Sequence, residues 1–388
     1  MIGHVASGAE LLSVAKGLRV HIISQRDAIE ASRRLPEELA CELARAGFFR
    51  VFLPSAYGGL DMTPADGIAV FEELAKADAS VAWCVWNGNT HWTAAQLSPE
   101  AAHVIHADPN VITANSTRPS GQAHVVDNGY RVTGRWSLVS GCELASWMVL
   151  WSVVHQDGKP RLASSGGPDI RFMLLPAEQC EIIDTWTVGG LRGTGSHDVA
   201  VHDAFVPASF GSGFFDPYVL PEPKYRIPAF CRVIPGLGAM ALGIACTAIE
   251  TLKDIAGAKT PTRTTQMLRD TPDAQARVSK AEALVRSARL FLFDSVHQLW
   301  TMLLATGAVT MEVRAHARLA ASHAVTSAVE AVDLMYVAGG ASSLYASCPL
   351  ERAFRDVHAM TQHIGVHPRV MQSTGRVLFG LEPDTPLL

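Results

Sequence analysis

The hydrophobic pattern of the chain changes its period twice, and these changes divide the sequence into three parts. In the first part apolar residues recur at helical spacing, as Ile68, Phe71 and Leu74 do. Thr63 is followed directly by Pro64 and then, at the third position after it, by the carboxylate of Asp66. This arrangement is typical of a helix N-terminus. We therefore expect an N-terminal helical domain over residues 1–112.

From about Val111 onward the period shortens toward two, which is typical of β-strands. Asp127-Asn128-Gly129 is a turn signal between two such segments. Strand patterns cover residues 130–138, 148–154, 171–175 and 198–206. Together they predict a middle antiparallel β domain over residues 113–222.

After residue 222 the pattern becomes helical again. Long helices are predicted over residues 237–255, 274–306, 310–338 and 350–364. Helices, then strands, then helices predict an α+β fold, since alternating strands and helices are absent. We expect a C-terminal four-helix bundle domain over residues 223–388.

Composition narrows the class of protein. The 388 residues are 48% apolar and 18% charged, as in an ordinary globular protein. A net charge of −5 without a basic block argues against a nucleic-acid partner. We see no signal-peptide pattern, and no apolar stretch reaches the roughly 18 residues of a membrane helix, so no membrane partner is expected. The seven cysteines form no Cys-x-x-Cys pair, which predicts reduced thiols and a cytoplasmic location.

A glycine-rich segment over residues 187–196 precedes the strand pattern that Pro207 ends. Four glycines surround Arg192, so backbone N–H groups and a guanidinium could approach an anion or a planar ring. The alternative is a plain turn between two strands.

Several motifs in the same order carry a family resemblance. They are Leu35-Pro36, Ala46-Gly47-Phe48, Tyr57-Gly58-Gly59, Phe71-Glu72-Glu73-Leu74, Gly134-Arg135-Trp136 and the glycine-rich segment. Their order and spacing resemble the acyl-CoA dehydrogenase superfamily over nearly the whole chain. The resemblance implies that superfamily's three-part fold and a flavin cofactor.

Two departures change the function that the resemblance implies. Residues 113–120 lack the Thr-Glu-Pro-Gly-x-Gly-Ser motif of the dehydrogenases, and residues 360–365 lack the carboxylate base that takes the substrate proton. Arg355-Asp356-Val357-His358, followed by Gln362-His363, resembles the superfamily's two-component flavin-dependent monooxygenases. An acyl-CoA dehydrogenase, or a non-catalytic protein that kept the fold, are the alternatives.

The resemblance implies the oxygenase component of such a system. Reduced flavin, FMNH2 or FADH2, would come from a separate reductase and form a C4a-hydroperoxyflavin with O2. That species would hydroxylate an aromatic, phenolic or other electron-rich small molecule, or alternatively oxygenate nitrogen or sulfur. A homotetramer is also implied.

Three residues have catalytic roles by the resemblance. Ser140 would lie against the flavin N5/O4 edge, His363 would stand on a helix beside the flavin, and His91 would deprotonate a substrate phenol. The structural alternatives are a turn-capping serine, a histidine bonded to a backbone carbonyl, and a histidine buried in a tryptophan-rich core.

The remaining site residues are also implied by the resemblance. Cofactor contacts are expected from Trp136, Ser140, Arg192, Ser196, Arg263, Gln275, Gly339 and Gly340, with Arg263 and Gln275 reaching from a neighbouring subunit. Substrate contacts are expected from Ser116, Thr117 and Trp92. No metal site is expected, because neighbouring histidines such as His103 and His106 lack a cysteine or carboxylate at ligand spacing.

Overall fold

The computed structural model describes residues 7–163, 166–213, 216–262, 264–385 and 388. Five helices come before the first strand: Gly8–Ser32 (α1), Glu37–Arg45 (α2), Pro64–Ala77 (α3), Ala79–Gly88 (α4) and Pro99–Ile105 (α5). Thr63 caps α3 by accepting a hydrogen bond from the Asp66 backbone at 3.2 Å, as the sequence predicted. The patterns above assigned no helix to α1, whose buried face is a narrow apolar stripe.

In the described part of the middle region, eight strands form one sheet. They are Thr113–Val126 (β1), Gly129–Val139 (β2), Trp147–Gln156 (β3), Lys159–Pro160 (β4), Ile170–Pro176 (β5), Glu181–Ile183 (β6), His197–Pro207 (β7) and Gly211–Gly213 (β8). Their order is β6-β7-β2-β1-β3-β5-β8, with β4 beside β3.

One pairing departs from the antiparallel expectation. β1 and β3 run parallel, with Ala114 opposite Met148, whereas the other pairs are antiparallel. The reason is the order of pairing. β2 already pairs with β1 and β7, so β3 occupies the free edge of β1. Because β2 runs opposite to β1 and only residues 140–146 connect it to β3, β3 begins at the end of the sheet where β1 begins and runs parallel to it.

The last five helices are Ala229–Ala258 (α6), Pro272–Thr306 (α7), Met311–Gly339 (α8), Pro349–Met360 (α9) and Arg369–Leu378 (α10). The order of helical, strand and helical regions confirms the predicted fold class. One apolar core joins the N-terminal and C-terminal helices, and a second lies against the sheet.

Helix α6 contradicts the expectation that no segment is long and apolar enough to cross a membrane. It passes that test by length and composition, but 83% of its most apolar window is buried inside the protein. It packs against α3 and α8, and its small residues allow close approach. A Cβ added at Gly243 would lie 2.4 Å from the Glu72 carbonyl oxygen.

We predict that Gly243→Ala destabilises the protein by about 1–3 kcal/mol, because the added methyl group overpacks the contact with α3. Gly257→Ala on the same helix is the matched control, since a Cβ there has no neighbour within 4 Å. It should stabilise the protein by ~0.5–1 kcal/mol through helix propensity. Urea unfolding midpoints measure both, and equal midpoints for the two variants would contradict the packing argument.

Candidate functional site

A cavity of about 320 Å³ lies between α4, the sheet and the C-terminal helices. Five of the eight tryptophans in the chain line it: Trp83, Trp86, Trp92, Trp151 and Trp186. Among the described residues, no aspartate or glutamate lines the cavity. Its walls are therefore flat and aromatic, and they suit planar ligands.

A row of three hydroxyl groups crosses one wall of the cavity. The Ser140 and Ser196 oxygens are 2.7 Å apart, and Ser196 is also 2.7 Å from the Thr194 Oγ1 atom. Trp83 donates its indole N–H to Ser140 at 3.0 Å, and Thr194 donates to the Leu191 carbonyl at 2.9 Å. All three hydroxyl residues are less than 7% exposed. We call this connected row the hydroxyl chain.

A distortion at the end of β2 places Ser140 in this row. Pairing with β7 is irregular between Trp136 and Val139, and Leu138 adopts a left-handed φ of 62°. Irregularities of this kind redirect the following side chains. The Asn87 side chain then donates to the Ser140 carbonyl at 3.0 Å and holds the turn against α4.

His363 also lines the cavity, but not from a helix as predicted. α9 ends at Met360, and His363 follows in a short turn where its Nδ1 accepts the Gly365 N–H at 3.0 Å. The neutral ring therefore carries its hydrogen on Nε2. Its ring centre lies 5.8 Å from that of Trp83 and 5.5 Å from that of Trp86. Burial, reinforced by the charge of Arg318, lowers the pKa of His363 to about 4, so the ring is neutral at neutral pH.

The three predicted substrate residues all line the same cavity. Ser116 donates its hydroxyl to the Ser137 carbonyl at 3.0 Å, while Thr117 lies beside it. Trp92 is 7% exposed, and its indole N–H has no hydrogen-bond partner in the described part of the chain. A buried donor without a partner at a cavity wall fits a ligand that supplies an acceptor.

His91, the predicted substrate base, is not among the described residues that line the cavity, so its role stays a prediction. Its neighbours Thr90 and Trp92 face the cavity, while the His91 ring packs 4.8 Å from the His106 ring on the other side of the turn. The side chain is 2% exposed, and burial lowers its pKa well below the usual value. These contacts also fit the alternative of a buried core histidine.

Trp136 and Arg192 also lie outside the cavity lining. Trp136 is fully buried within the sheet and donates to the Trp151 carbonyl at 2.6 Å, because its strand position faces the inner core. Arg192 points toward α1, where its Nε lies 3.3 Å from the Glu30 carboxylate. Their expected contacts with a cofactor stay predictions.

Gln275, Gly339 and Gly340, three of the other predicted cofactor contacts, are not among the described residues that line the cavity. Gln275 is exposed and donates to the Arg269 carbonyl at 3.1 Å. Gly339 is buried, and its carbonyl accepts from Lys259 at 2.7 Å, while Gly340 has a φ of 58°. Arg263 lies outside the described residues. These four assignments stay predictions.

Sequence reasoning missed the amide pair that joins α4 to β1. Asn115 donates to the Asn87 side-chain oxygen at 2.9 Å and to the Asn87 carbonyl at 2.8 Å. Both residues line the cavity. The available signal was Asn87 within the apolar helix α4, a position where a polar side chain needs a partner, whereas Asn115 stands in a polar stretch of β1 and gave no such signal.

Comparison with known proteins agrees with this architecture. Residues 12–98 match the acyl-CoA dehydrogenase N-terminal domain, and residues 235–368 match the acyl-CoA dehydrogenase C-terminal domain. The chain is 31% identical over 366 residues to the oxygenase subunit HsaA of a flavin-dependent monooxygenase from Rhodococcus jostii, covering 91% of this chain and 94% of that one.

Two further similarities extend over nearly the whole chain. It is 29% identical over 384 residues to indole-3-acetate monooxygenase from Pseudomonas putida, covering 98% of this chain and 95% of that protein. The crystal structure of a 3-HSA hydroxylase from a Rhodococcus species superposes with a TM-score of 0.87 at 29% identity, covering 96% and 97% of the two chains.

The fold and the cavity thus define an oxidoreductase with the acyl-CoA dehydrogenase architecture. Within it, the chain belongs to the flavin-dependent monooxygenases, as an oxygenase component. The resemblance inferred from the ordered motifs is confirmed.

We predict that burial of His363 makes the folded state lose stability as the pH falls from about 6.5 toward 4, while the raised pKa of the buried Asp356 carboxyl acts with the opposite sign over the same interval. Between these values the unfolded chain protonates His363, whereas the folded chain with its pKa of about 4 does not. The unfolded state then binds more protons, so lower pH favours it. His91 and His106 contribute with the same sign, because burial lowers both pKa values.

His363→Gln should make the dependence of unfolding free energy on pH less steep in that interval. His297→Gln, on an exposed part of α7, is the matched control and should keep the original slope. Denaturant unfolding at a series of pH values measures the slopes. Identical slopes for His363→Gln and the unchanged protein would show that His363 is not buried as a neutral ring.

Proposed function

We propose that this oxygenase component binds reduced flavin, FMNH2 or FADH2, from a separate reductase and oxygenates an aromatic small molecule in the tryptophan-lined cavity. The observation that carries the proposal is one cavity that joins five tryptophans, the hydroxyl chain and a neutral histidine, without a carboxylate among its described lining residues. Reduced flavin, once bound, supplies the electrons that activate O2.

The chain's own residues have separable tasks in this proposal. The tryptophans bind a planar ring and exclude water, which strengthens polar interactions inside the cavity. Ser140 hydrogen-bonds the flavin edge from the end of β2. His363 offers its Nε2 hydrogen to a reacting oxygen, and it stays neutral because it is buried.

The residues that line the cavity also support an aromatic substrate that carries a hydrogen-bond acceptor. Trp92 offers an N–H group that has no partner among the described residues, while Ser116 and Thr117 provide polar atoms in the same lining. The Pseudomonas putida relative is named for indole-3-acetate, an aromatic acid. We extend only the aromatic class to this chain.

Oxygenation of nitrogen or sulfur is the second candidate. The placement of His91 favours it over a phenol hydroxylation in which His91 is the base. A phenol needs a base to raise its nucleophilicity, and His91 does not reach the cavity. His91→Ala should accordingly affect stability more than substrate choice.

The assembly and the location are also proposals. Large apolar side chains on the C-terminal helices and their connections are more than 65% exposed, as at Leu290, Leu344, Tyr345 and Phe379, which supports a homotetramer. All seven cysteines are free, which supports the reduced environment of the cytoplasm.

The test mixes the anaerobic protein, loaded with FMNH2 and separately with FADH2, with dissolved O2. We expect a transient near-ultraviolet absorbance band that outlives the corresponding signal of free flavin. His363→Gln should shorten its lifetime by on the order of tenfold, because the positioned imidazole Nε2–H hydrogen-bond donor is lost. Spectral bleaching of bound oxidised flavin by acyl-CoA, with no transient band for either reduced flavin, would overturn the proposal in favour of a dehydrogenase.

A further inference from the structure

The hydrogen bonds of the hydroxyl chain all point in one direction, because its two end groups fix which oxygen donates to which. At one end, the Trp83 indole nitrogen can only donate, and it donates to Ser140 at 3.0 Å. At the other end, the Leu191 carbonyl can only accept, and it accepts from Thr194 at 2.9 Å. A donor-only group and an acceptor-only group thus close the chain.

Between these ends each hydroxyl has one hydrogen to give. Thr194 uses its hydrogen on Leu191, so the 2.7 Å contact with Ser196 requires Ser196 to donate. Ser196 has then used its own hydrogen, so the 2.7 Å contact with Ser140 requires Ser140 to donate. The Ser140 hydrogen therefore points along the wall and away from a ligand in the cavity.

Ser140 consequently presents an acceptor to the cavity. A hydroxyl oxygen accepts two hydrogen bonds, and Trp83 occupies one of those positions. Reversing the chain would release the Ser140 hydrogen but would break the Thr194 bond to Leu191. The net value of one such bond corresponds to roughly a 2- to 10-fold change in an equilibrium constant.

The flavin ring changes its hydrogen-bonding character at N5 with its redox state. The reduced ring carries a hydrogen on N5, whereas the oxidised ring has only a lone pair there. A protein acceptor at that edge therefore accepts a hydrogen bond from N5 of the reduced ring. Against the oxidised ring it places two acceptors next to each other, which weakens binding of that form.

We infer that Ser196 and Thr194 make this site selective for reduced flavin by holding the Ser140 hydroxyl as an acceptor toward the ring. The inference rests on the proposed function, including the predicted placement of Ser140 at the flavin edge. Ser196 and Thr194 are positioning residues, because they act on the cofactor through Ser140. The selectivity lets the protein take up reduced flavin and release the oxidised product.

The test measures dissociation constants for oxidised and reduced flavin by anaerobic titration of the full-length protein. Ser196→Ala removes the acceptor for the Ser140 hydrogen, so Ser140 becomes free to donate to the oxidised ring. Oxidised flavin should bind roughly 2- to 10-fold more tightly, while binding of reduced flavin changes little. The ratio of the dissociation constant for oxidised flavin to that for reduced flavin then falls by the same factor.

Two further variants separate this mechanism from general damage. Thr194→Val should also lower the ratio, because Ser196 can then donate to Ser140 and reverse the chain. Ser140→Ala should also lower the ratio, but by weakening the binding of reduced flavin and not by strengthening the binding of oxidised flavin. Ser152→Ala, a fully buried serine of β3 outside the cavity lining, is the matched control and should leave the ratio unchanged.

The possible results are distinct. A lower ratio that comes from tighter oxidised binding in Ser196→Ala or Thr194→Val supports the inference. An unchanged ratio in both, with reduced flavin still bound by the original protein, overturns the inference alone. Failure of the original protein to bind either redox form overturns the proposed function as well.

Discussion

The contact between the glycine-rich loop and α9 is the constraint on which the site depends. The Asp356 carboxylate, 4% exposed, accepts the Leu191 backbone N–H at 2.6 Å. Burial raises the pKa of Asp356 to about 7, and the bond from Leu191 opposes that rise. Gly190 permits the close approach, because a Cβ there would lie 2.2 Å from the Arg355 carbonyl oxygen. This buried contact holds the carbonyl of Leu191 where Thr194 needs it.

The same helix positions the opposite side of the cavity. α9 ends four residues after Asp356, and the turn that follows carries His363 to the tryptophans of α4. The hydroxyl chain and the imidazole are thus arranged relative to one helix. A local change in α9 would therefore alter both sides of the cavity together, although the two sides are far apart in sequence.

Much of the fold was predictable because its signals are local. The Thr63 cap, the turn at Asn128 and the long C-terminal helices depend on neighbouring residues, and they lie where expected. Helix α1 could also have been predicted from its apolar stripe, in which Leu11, Ala15, Leu18 and Ile22 recur at intervals of three and four residues. The parallel β1–β3 pair was not, because it depends on which strand edges the rest of the sheet leaves free.

The sequence by itself determined the family, the order of helical and strand regions, and the absence of the dehydrogenase carboxylates from their motifs, since all of these are properties of residue type and spacing. Only the tertiary structure decided that His91 packs against His106 instead of lining the cavity, and that α9 ends before His363. It also decided the direction of the hydroxyl chain, in which Trp83 meets Ser140 across 57 positions and Ser140 meets Ser196 across 56. Such contacts form only when distant segments pack together, so no local pattern encodes which atom donates to which.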